Sequence, residues 1–435
     1  MKVGCGLMHM ASDLTPLALE EGALNWLDSL PDSVLEIHDG IIAANGPSWL
    51  VGGAVRESMR GRLPKDYDIA TSLTPDKVEE AFSHTIPTGK AFGTITVVIG
   101  GVNHEVTTLR SDGGYSDGRR PDNVHLTTSL ALDLERRDFT INAMAVDIGS
   151  RQLFDPHCGL SDLRNHRLRA VGNANRRLSE DGLRIMRAYR FLDQGDAFVW
   201  NTDLELEIAL VERRDMLSAI SVERIWTEFE RILDGEDASR VLKRMANDGI
   251  LDIIIGGNTS EDSIRISSVK GDIQASMRMA VLLKDRDSVD VAETLKSLKV
   301  SNKFKDSVLW FHDCLGTSPL NGDDGSLRLF RYAMKDNLND FLMVDEDWMG
   351  EDFTDLKNRL RKLDSTQARD CLVDGHWLMN RTGLEQGMRL GRLKLWIHRL
   401  QIERNISTIE EMESLLCTLQ WEHGDPKFWP RPIWP

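Results

Sequence analysis

The period of the hydrophobic positions changes once along the chain, near residue 172. Between Trp49 and about Asp155, runs rich in β-branched residues end at glycines, which is typical of strands; these runs include GTITVVIGG, HEVTTL, AMAVDI and QLFD. Among them, PDKVEEAF follows Thr74 and begins with Pro75, an N-cap residue and a proline at the position where helices accept it. The pattern predicts a β-rich part with helices between its strands.

After Gly172 the strand pattern disappears and apolar residues recur at helical spacing. The segments EDGLRIMRAYRFL, ELEIALVERRDML, VERIWTEFERIL and ASRVLKRMANDG carry charged outer faces. Helical spacing continues to an irregular tail rich in Trp and Pro. Ahead of the β-rich part, SVLEIHDGIIAA predicts a helix that ends at the turn Asn45-Gly46-Pro47. These patterns predict an α/β head followed by an all-helical remainder.

Length and composition indicate a soluble protein of two to four domains. The chain has 435 residues, of which 41% are hydrophobic and 28% charged. No apolar run has transmembrane length, and MKVGCGLMHMASDL lacks a signal-peptide core and an Arg-rich import leader. The cysteines are scattered and odd in number, and none has CxxC spacing: Cys5, Cys158, Cys314, Cys371 and Cys417. We therefore expect free thiols, no zinc, no membrane contact and a cytoplasmic location.

The net charge of −16 is unusual for a protein that binds nucleic acid, because such proteins carry a basic surface. The charge is uneven, however: eight arginines and two acidic residues lie between Arg164 and Arg190. Residues 357–404 are also rich in Arg and Lys. A basic stripe on an acidic body is therefore possible, and the overall charge does not exclude an RNA partner.

Two aspartates one residue apart, Asp66 and Asp68, are the first candidates for chemistry. If KDYDIA is a strand, both carboxylates project from one face and can share one or two Mg²⁺ ions. Glu105 in HEVTTL lies on a predicted strand that could pair beside them. Two metals held in this way can activate an attacking hydroxyl and neutralise a leaving diphosphate. Taken alone, an Asp-x-Asp at a strand end is more often a solvated turn.

The glycines upstream, Gly52 and Gly53, make a functional site a better interpretation than a solvated turn. Glycine allows the backbone N–H groups to approach a phosphate closely, and Arg56 adds a positive charge. No Gly-Lys-Ser/Thr follows, so this is not a Walker loop. The combination of glycines, arginine and paired aspartates indicates a nucleoside triphosphate site.

In LERRDFTINAMA, residues 134–145, Arg136, Arg137 and Asp138 precede a predicted apolar helix that carries Asn142. Arginines near a helix start can meet a triphosphate, while a carboxylate and an amide can bind ribose hydroxyls. An N-cap aspartate with surface arginines is the simpler interpretation of this segment alone.

In SEDGLRIMRAYRF, residues 179–191, Asp181, Arg184 and Arg187 recur every three residues. On one helix they would share a flank. An ordinary salt bridge on a solvated face is the simpler interpretation of this segment too.

Together these segments resemble the class II tRNA nucleotidyltransferases, or CCA-adding enzymes, and the related bacterial poly(A) polymerases. The matching blocks span roughly residues 48–230, in the order and spacing of the family: VGGAVRESMRG with KDYDIAT, TGKAFGTITVV, EVTTLRSDGGYSDGRRPD, LERRDFTINAMAVD, LFDPHCGLSDL, RLSEDGLRIMRAYRF and SVERIWTEF. One feature departs from the pattern: Glu57 stands where the family usually has aspartate. A lone His312-Asp313 pair is interpreted as structural rather than as a phosphohydrolase site.

The resemblance implies a nucleotidyltransferase head with a small mixed sheet of the polymerase-β type, and then helical neck, body and tail. The boundaries expected are residues 1–165 for the head with its N-terminal helix, 166–235 for the neck, 236–345 for the body and 346–435 for the tail, which would bind tRNA. The substrates implied are tRNA, CTP and ATP, with Mg²⁺ as cofactor.

The resemblance also implies a role for each candidate residue. Asp66 and Asp68 would bind the catalytic metals, with Glu105 beside them. Gly52, Gly53 and Arg56 would serve the triphosphate. The block Arg136-Arg137-Asp138 would contact sugar and phosphates, and the helix carrying Glu180, Asp181 and Arg184 would read the incoming base. Asn142 and Arg187 would be further nucleotide-binding residues.

The base-reading role has a physical basis. Cytosine and adenine both present an amino donor beside a ring-nitrogen acceptor, which Asp181 and Arg184 can match. Uracil and guanine reverse both positions, and each unmade buried bond costs about 1–3 kcal/mol. Side chains would thus replace a nucleic-acid template and reject UTP and GTP.

Among the relatives, the residues favour complete CCA addition. Poly(A) polymerases of this group tend to be Arg-rich where this chain has TGKAFGT, Thr88 to Thr94. The loop from Arg110 to Asp122 resembles the flexible loop associated with switching to ATP, which disfavours an enzyme that adds only CC. An A-adding enzyme, a poly(A) polymerase and a catalytically silent RNA-binding protein remain as alternatives.

Overall fold

The chain divides into two units by its internal contacts. The first consists of Met1–Asp237 and Arg244–Ile254, and the second of Ala238–Lys243 and Ile255–Pro435. The computed structural model describes residues 14–114, 123–196, 199–257, 259–266, 273–363 and 370–435. Most of the predicted flexible loop, residues 115–122, lies outside these ranges. Within them, no helix combines the length and apolarity needed to cross a bilayer.

The strands of the first unit form one mixed sheet and two small ladders. In chain order they are β1 (Leu17–Ala18), β2 (Ser48–Val51), β3 (Asp68–Thr71), β4 (Thr85–Gly89), β5 (Thr94–Ile99), β6 (Val102–Thr108), β7 (Arg110–Asp112), β8 (Val124–Leu126), β9 (Ala145–Asp147), β10 (Gln152–Phe154), β11 (Arg167–Leu168) and β12 (Asn201–Thr202). The main sheet has the order β1-β10-β9-β2-β3-β6-β5-β4. Its β3–β6 pair is parallel, and the others are antiparallel.

The helices of the first unit surround this sheet and then continue into a helical part. They are α1 (Glu21–Asp28), α2 (Asp32–Ala43), α3 (Gly53–Met59), α4 (Pro75–Ala81), α5 (Leu130–Glu135), α6 (Gly159–Arg164), α7 (Ala174–Glu180), α8 (Leu183–Leu192), α9 (Leu204–Glu212) and α10 (Val222–Leu233). Gly100 and Gly101, both with positive φ, form the two-residue turn between β5 and β6.

The core of the head follows from strict alternation along the strands. Ile69, Ile95 and Val106 point to one face and are fully buried. Helix α2 contacts β2 and β5, and its Val34, Ile37 and Ile41 are fully buried too. The opposite face carries a smaller apolar cluster, which includes residues of α5, and continues into the candidate site.

The second unit is helical throughout its described residues. Its helices are α11 (Ala238–Asn247, divided between the units), α12 (Glu261–Ile266), α13 (Ala275–Leu282), α14 (Ser288–Ser297), α15 (Asn302–Cys314), α16 (Asp324–Met334), α17 (Leu338–Met349), α18 (Thr354–Lys362), α19 (Gly375–Thr382), α20 (Met388–Glu403) and α21 (Ile409–Thr418). His312 is buried and lies 3.1 Å from the Arg286 carbonyl, as expected of a structural residue.

The predicted fold class, an α/β head followed by helical parts, is confirmed. One strand was not expected from the sequence: the two-residue strand β12 lies after residue 172, where the strand pattern ends, and pairs with β11. The predicted helix after Asp138 is wrong. The backbone there pairs with a distant segment instead: Thr140 N donates to the Arg169 carbonyl, and Val171 N donates to the Asp138 carbonyl. Only a 3-10 turn, Thr140–Asn142, and strand β9 follow.

Two further local expectations are corrected. Strand β3 begins at Asp68, so Asp66 lies in the loop before the strand rather than on it. Asp181 does not share a helix with Arg184 and Arg187, because α7 ends at Glu180 and α8 begins at Leu183. Its side chain accepts a hydrogen bond from the Leu183 N–H at the start of α8, as turn-forming aspartates do.

Candidate functional site

The turn between β2 and α3 requires a glycine. Gly52 has φ +68°, and a Cβ there would lie 3.3 Å from an Asp68 carboxylate oxygen and 3.5 Å from Arg137 Nη1. A side chain at this position would be both strained and crowded. The glycine thus lets the backbone that starts α3 lie directly beside a carboxylate and a guanidinium.

The carboxylates come together through strand pairing. The parallel register of β3 and β6 sets Ile69 opposite Val106, so the preceding residues, Asp68 and Glu105, lie side by side. Both residues are exposed and line the same cavity. The sequence prediction that the strand of Glu105 pairs beside the aspartates is confirmed.

The electrostatics of Asp68 are those of a crowded acid. Although the Asp68 side chain is solvent-accessible, the surrounding cavity wall partly desolvates its carboxylate. This desolvation and the neighbouring Glu105 raise the pKa of Asp68, Arg137 opposes them, and Asp66 adds to the increase. Asp66 therefore acts on Asp68 through its charge, although it does not line the cavity. The negative charges are incompletely compensated by protein groups.

This donor set fits a divalent cation that takes only part of its ligands from the protein. Among the residues that the structure describes, no three Asp, Glu, His or Cys side chains form a ready-made metal cluster. Mg²⁺ is commonly held by only one or two carboxylates together with substrate phosphates and water. Asp68 and Glu105, with Asp66 close by in charge, offer such a partial shell, and a cation there would relieve their repulsion.

Two neighbouring arginines are held by one buried aspartate that the sequence interpretation missed. Asp133 on α5 accepts hydrogen bonds from Arg136, at 2.9 and 2.7 Å, and from Arg137, at 3.2 Å. Burial opposes the ionisation of Asp133, but Arg136 and Arg137 hold its pKa below the usual range. Its i, i+3 and i, i+4 spacing to the arginines was the available signal.

Asp138 forms the centre of a second network. Its Oδ2 accepts from Arg187 Nε at 2.7 Å, and its Oδ1 accepts from Asn142 Nδ2 at 3.0 Å and Phe139 N at 2.8 Å. Arg56 Nη1 donates to Asn142 Oδ1. Residues from three separate sequence motifs are thus joined by direct side-chain bonds.

We expect Asp138→Asn to destabilise the protein by about 3 kcal/mol, since it removes the carboxylate that Arg187 contacts at 2.7 Å and leaves that guanidinium with the more distant Glu228 carboxylate, at 3.8 Å. Burial opposes ionisation of Asp138, but Arg187 and the hydrogen bonds hold its pKa far below the usual range. Its stabilisation is therefore present above about pH 4 and is lost as the pH falls below the pKa of the unfolded chain. Urea unfolding between pH 3 and 7 measures this; an equal pH dependence in wild type and variant would contradict the assignment.

Glu180 is a support for Arg184 rather than a residue of the cavity wall. Its Oε2 accepts from Arg184 Nη1 and Arg177 Nη1, both at 2.8 Å. Arg184 also donates to the carbonyls of Arg177 and Arg136, at 2.8 and 3.1 Å. The largely buried Arg184 guanidinium is therefore fixed by one carboxylate and two carbonyls.

Asp181 has a different partner. Its Oδ1 accepts from Leu183 N at 3.0 Å, and its Oδ2 accepts from Arg224 Nη2 of α10 at 3.0 Å. Arg224 lines the cavity and was not among the predicted site residues, although SVERIWTEF was recognised as a family block. Arg224 and the start of α8 together orient the Asp181 carboxylate.

An aromatic ring packs among the arginines. Phe191 on α8 lies 4.9, 5.4 and 4.2 Å from the guanidinium carbons of Arg56, Arg187 and Arg190, respectively. Such stacking holds the flat groups without neutralising them. The buried Glu228 of α10 accepts from Arg190 Nε at 2.5 Å and completes this layer.

Glu57, which replaces the family aspartate, bridges Arg56 of α3 and Arg60, the residue directly after that helix. Its Oε1 accepts from Arg56 Nε at 2.9 Å, and its Oε2 lies 3.5 Å from Arg60 Nη1. Arg60 in turn bonds to both carboxylate oxygens of Asp196, each at 2.9 Å. The longer carboxylate therefore links the glycine turn to the segment that follows α8.

These parts line one cavity of about 530 Å³ in the first unit. Of the predicted residues, it includes Gly52, Gly53, Arg56, Asp68, Glu105, Arg136, Arg137, Asp138, Asn142, Asp181, Arg184 and Arg187. Asp66 and Glu180 are not in its wall. Lining residues that the sequence interpretation did not name are Val51, Thr107, Leu183, Arg190, Phe191 and Arg224.

Comparisons with known proteins agree with this geometry. A family model described as the Poly A polymerase head domain matches residues 48–169, and one described as a probable RNA and SrmB-binding site of polymerase A matches residues 203–257. The CCA-adding enzyme of Lactococcus lactis subsp. lactis is 33% identical over 383 residues, which cover 84% of this chain and 92% of that protein. That of Geobacillus sp. is 43% identical over 203 residues, 47% of this chain and 49% of that protein.

Solved structures give the same result. The CCA-adding enzyme of Bacillus stearothermophilus in complex with CTP has a TM-score of 0.72 at 27% identity and covers 92% of this chain and 99% of its own. The Thermotoga maritima enzyme complexed with tRNA shares the fold, with a TM-score of 0.60 at 19% identity over 92% of this chain and 97% of its own. With the blocks of residues 48–230 brought together in one cavity, and with relatives similar over nearly their whole length, the chain belongs to the family of CCA-adding enzymes, the tRNA nucleotidyltransferases.

Proposed function

We propose that this protein adds the sequence CCA to the 3′ end of tRNA, using CTP and ATP and releasing diphosphate at each step. The observation that carries the proposal is the cavity itself. A glycine turn, two strand carboxylates and the Asp181/Arg184 pair line a single wall of it. No nucleic-acid template is needed, because the side chains themselves read the incoming base.

The residues divide into three roles in this proposal. The triphosphate is bound by the glycine turn, Gly52 and Gly53, and by three arginines. Glu57 and Asn142 direct the guanidinium of Arg56, and Asp133 directs those of Arg136 and Arg137. Asp138 and Asn142 hold the ribose region, and Arg187 neutralises Asp138. Asp181 and Arg184 bind the amino group and ring nitrogen of cytosine or adenine, while Glu180 and Arg224 keep them in place.

For the chemical step, the 3′-hydroxyl of the RNA attacks the α-phosphate and diphosphate leaves in line. We propose Asp68 and Asp66, with Glu105 adjacent, as the residues that hold Mg²⁺. When bound, Mg²⁺ supplies activation of the hydroxyl and stabilisation of the charge on the leaving group. The arginines of the cavity stabilise that leaving charge from the other side.

Nucleotide addition is expected to stop completely in EDTA and to return with excess Mg²⁺. Binding of a tRNA transcript should persist in EDTA, because most of that affinity comes from contacts between basic residues and phosphates. Fluorescence anisotropy for binding and gel extension for activity measure the two separately. Extension at an undiminished rate in EDTA would refute the metal assignment.

The four-part division of head, neck, body and tail at residues 165, 235 and 345 is also part of this proposal, and the basic segment 357–404 supports a tRNA-binding tail. We assign the protein to the cytoplasm. Free thiols at Cys158, Cys314, Cys371 and Cys417 support a reducing compartment.

The experiment that tests the function uses three tRNA transcripts: one ending before CCA, one ending after CC, and one complete. Purified protein, Mg²⁺, CTP and ATP are added, the nucleotides separately and together. We expect stepwise growth to one CCA and then arrest. Extension of only the CC-ending transcript would indicate an A-adding enzyme, growth that stops at CC a CC-adding one, and a long adenosine ladder a poly(A) polymerase. RNA binding without extension would indicate a non-catalytic protein.

A further inference from the structure

The face of the sheet that carries the carboxylates continues beyond them. In the antiparallel β5–β6 pair, Thr94 lies opposite Thr107, and Thr96 lies opposite Glu105. Directly opposed residues share a face, so Thr94 and Thr96 stand on the same side as the cavity residues Glu105 and Thr107. The Thr94 and Thr107 hydroxyls are 3.0 Å apart.

Strand β4 extends this face to the edge of the sheet. Ile86 lies opposite Thr96, and the Thr88 hydroxyl is 2.7 Å from that of Thr96. Ile86 is 42% exposed, Thr88 is exposed and Thr94 is partly exposed. We call Ile86, Thr88 and Thr94 the threonine shelf; Thr96 is buried, at 6% exposure, and supports the shelf through its bond to Thr88. It is an open, uncharged surface that begins next to the catalytic carboxylates.

The side from which the attacking hydroxyl must approach determines which substrate can bind at the shelf. The sheet order β2-β3-β6-β5-β4 puts the glycine turn after β2 on one side of Asp68 and the threonine shelf on the other. The arginines that would hold the leaving diphosphate, Arg56 and Arg137, lie with the glycine turn. In an in-line displacement the attacking hydroxyl approaches from the side opposite the leaving group. The RNA must therefore approach from β6 and β5.

We propose that the threonine shelf binds the 3′-terminal nucleotides of the RNA substrate and directs the 3′-hydroxyl towards Asp68 and Glu105. This inference rests on the proposed function. Threonine hydroxyls both donate and accept hydrogen bonds, so they can bind ribose 2′-hydroxyls and phosphate oxygens, and the exposed Ile86 can pack on a base. Neutral contacts hold the end weakly, which suits a substrate that must shift by one nucleotide after each addition.

The shelf also explains the block TGKAFGT, which was singled out as a distinction from poly(A) polymerases. Its only basic residue, Lys90, is engaged by two carboxylates, those of Asp76 and Glu79. Arginines in this block would bind any RNA backbone strongly and non-specifically. Hydroxyls at Thr88 and Thr94 restrict the contact to short-range hydrogen bonds.

The first test is the double variant Thr88→Val/Thr94→Val, which keeps shape and removes two hydroxyls. We expect the KM for a tRNA transcript to rise between about fivefold and twenty-fivefold, at about fivefold per lost neutral hydrogen bond, while the KM for CTP stays unchanged. Thr85→Val is the matched control, because Thr85 lies opposite Val97 on the other face of the same strand. An unchanged RNA KM, or a rise in the CTP KM, would overturn the proposal.

A second variant should strengthen binding. Ile86→Arg adds a charge on the shelf and is expected to lower the Kd for the transcript a few-fold, with a salt dependence steeper by about one unit. Val289→Arg, at a position 66% exposed in the second unit, adds the same charge elsewhere. A transcript shortened by four nucleotides at its 3′ end should lose the effect of Ile86→Arg. If Ile86→Arg changes the Kd equally for the full-length and the shortened transcript, or for neither, the shelf is not the binding surface.

These measurements separate the two hypotheses. Wild-type protein that binds RNA but extends no transcript would refute the proposed function. The effect of Ile86→Arg on the Kd would still test whether the shelf binds the 3′ end of the RNA. Wild-type protein that adds CCA, with variants indistinguishable from it, would refute the shelf alone.

Discussion

Asp68→Asn is expected to lower the rate of nucleotide addition by at least about 10³-fold while leaving tRNA affinity unchanged. The amide removes the charge that a cation at the β3–β6 pair would require, and electrostatic stabilisation of this kind is usually the largest catalytic contribution. The same change should not reduce stability, because partial desolvation by the cavity wall and the charge of Glu105 already make the Asp68 carboxylate unfavourable and raise its pKa. Extension kinetics, anisotropy and thermal melting measure the three quantities.

Asp39→Asn is the matched control for this variant, since Asp39 is an exposed aspartate of α2 outside the cavity. It should retain wild-type activity. Loss of RNA affinity in parallel with activity at Asp68→Asn would contradict the metal assignment and would indicate a general defect of the fold. A lowered melting temperature would lead to the same conclusion.

Asp181→Ala is expected to reduce the preference for CTP over UTP by at least about 100-fold in kcat/KM. In the proposed role, the carboxylate would accept from the amino group of cytosine and would repel the carbonyl that uracil presents at the same position. The loss of favourable contacts at Asp181 and Arg184 is of the size by which polar sites reject substrate analogues. Misincorporation of UMP into a transcript ending before CCA, followed by gel or sequencing, measures the ratio.

Asp181→Asn sharpens this prediction. Its carbonyl can still accept from Leu183 N, and its amide group loses the bond from Arg224 but can donate to the uracil carbonyl, so UTP should be used better than by Asp181→Ala. Asp215→Ala, at an exposed aspartate of the 3-10 turn Arg214–Ala219, should leave the ratio of CTP to UTP unchanged. A wild-type ratio of CTP to UTP in both Asp181 variants would exclude this residue from base recognition.

Much of the site was accessible from local patterns. The pair Gly52-Gly53, the acids Asp68 and Glu105, and the block from Arg136 to Asp138 were all identified as separate segments, and the structure brings them to one cavity wall. Each segment taken alone favoured a simpler interpretation. Their agreement with a family in order and spacing, rather than any single motif, made the prediction possible.

The partners of those residues were not accessible, because they depend on contacts distant in the chain. Asp181 and Arg224 are 43 positions apart and meet only when α10 packs on α8. Arg187 reaches Asp138 across 49 positions. No periodicity encodes such pairs, since side-chain spacing reports neighbours within one element and not between elements.

Hydrophobic period and punctuation by glycine and proline therefore determine most elements of this protein and its fold class, while the candidate chemistry follows from motifs whose order and spacing match a family. Tertiary structure decides the remainder. It turns the apolar segment after Asp138 away from a helix, because the backbone finds partners at Arg169 and Val171. It also opens one face of β4 and β5 next to Asp68. Both outcomes follow from pairing between distant strands and segments, whose free energy outweighs the weak preferences of any local sequence.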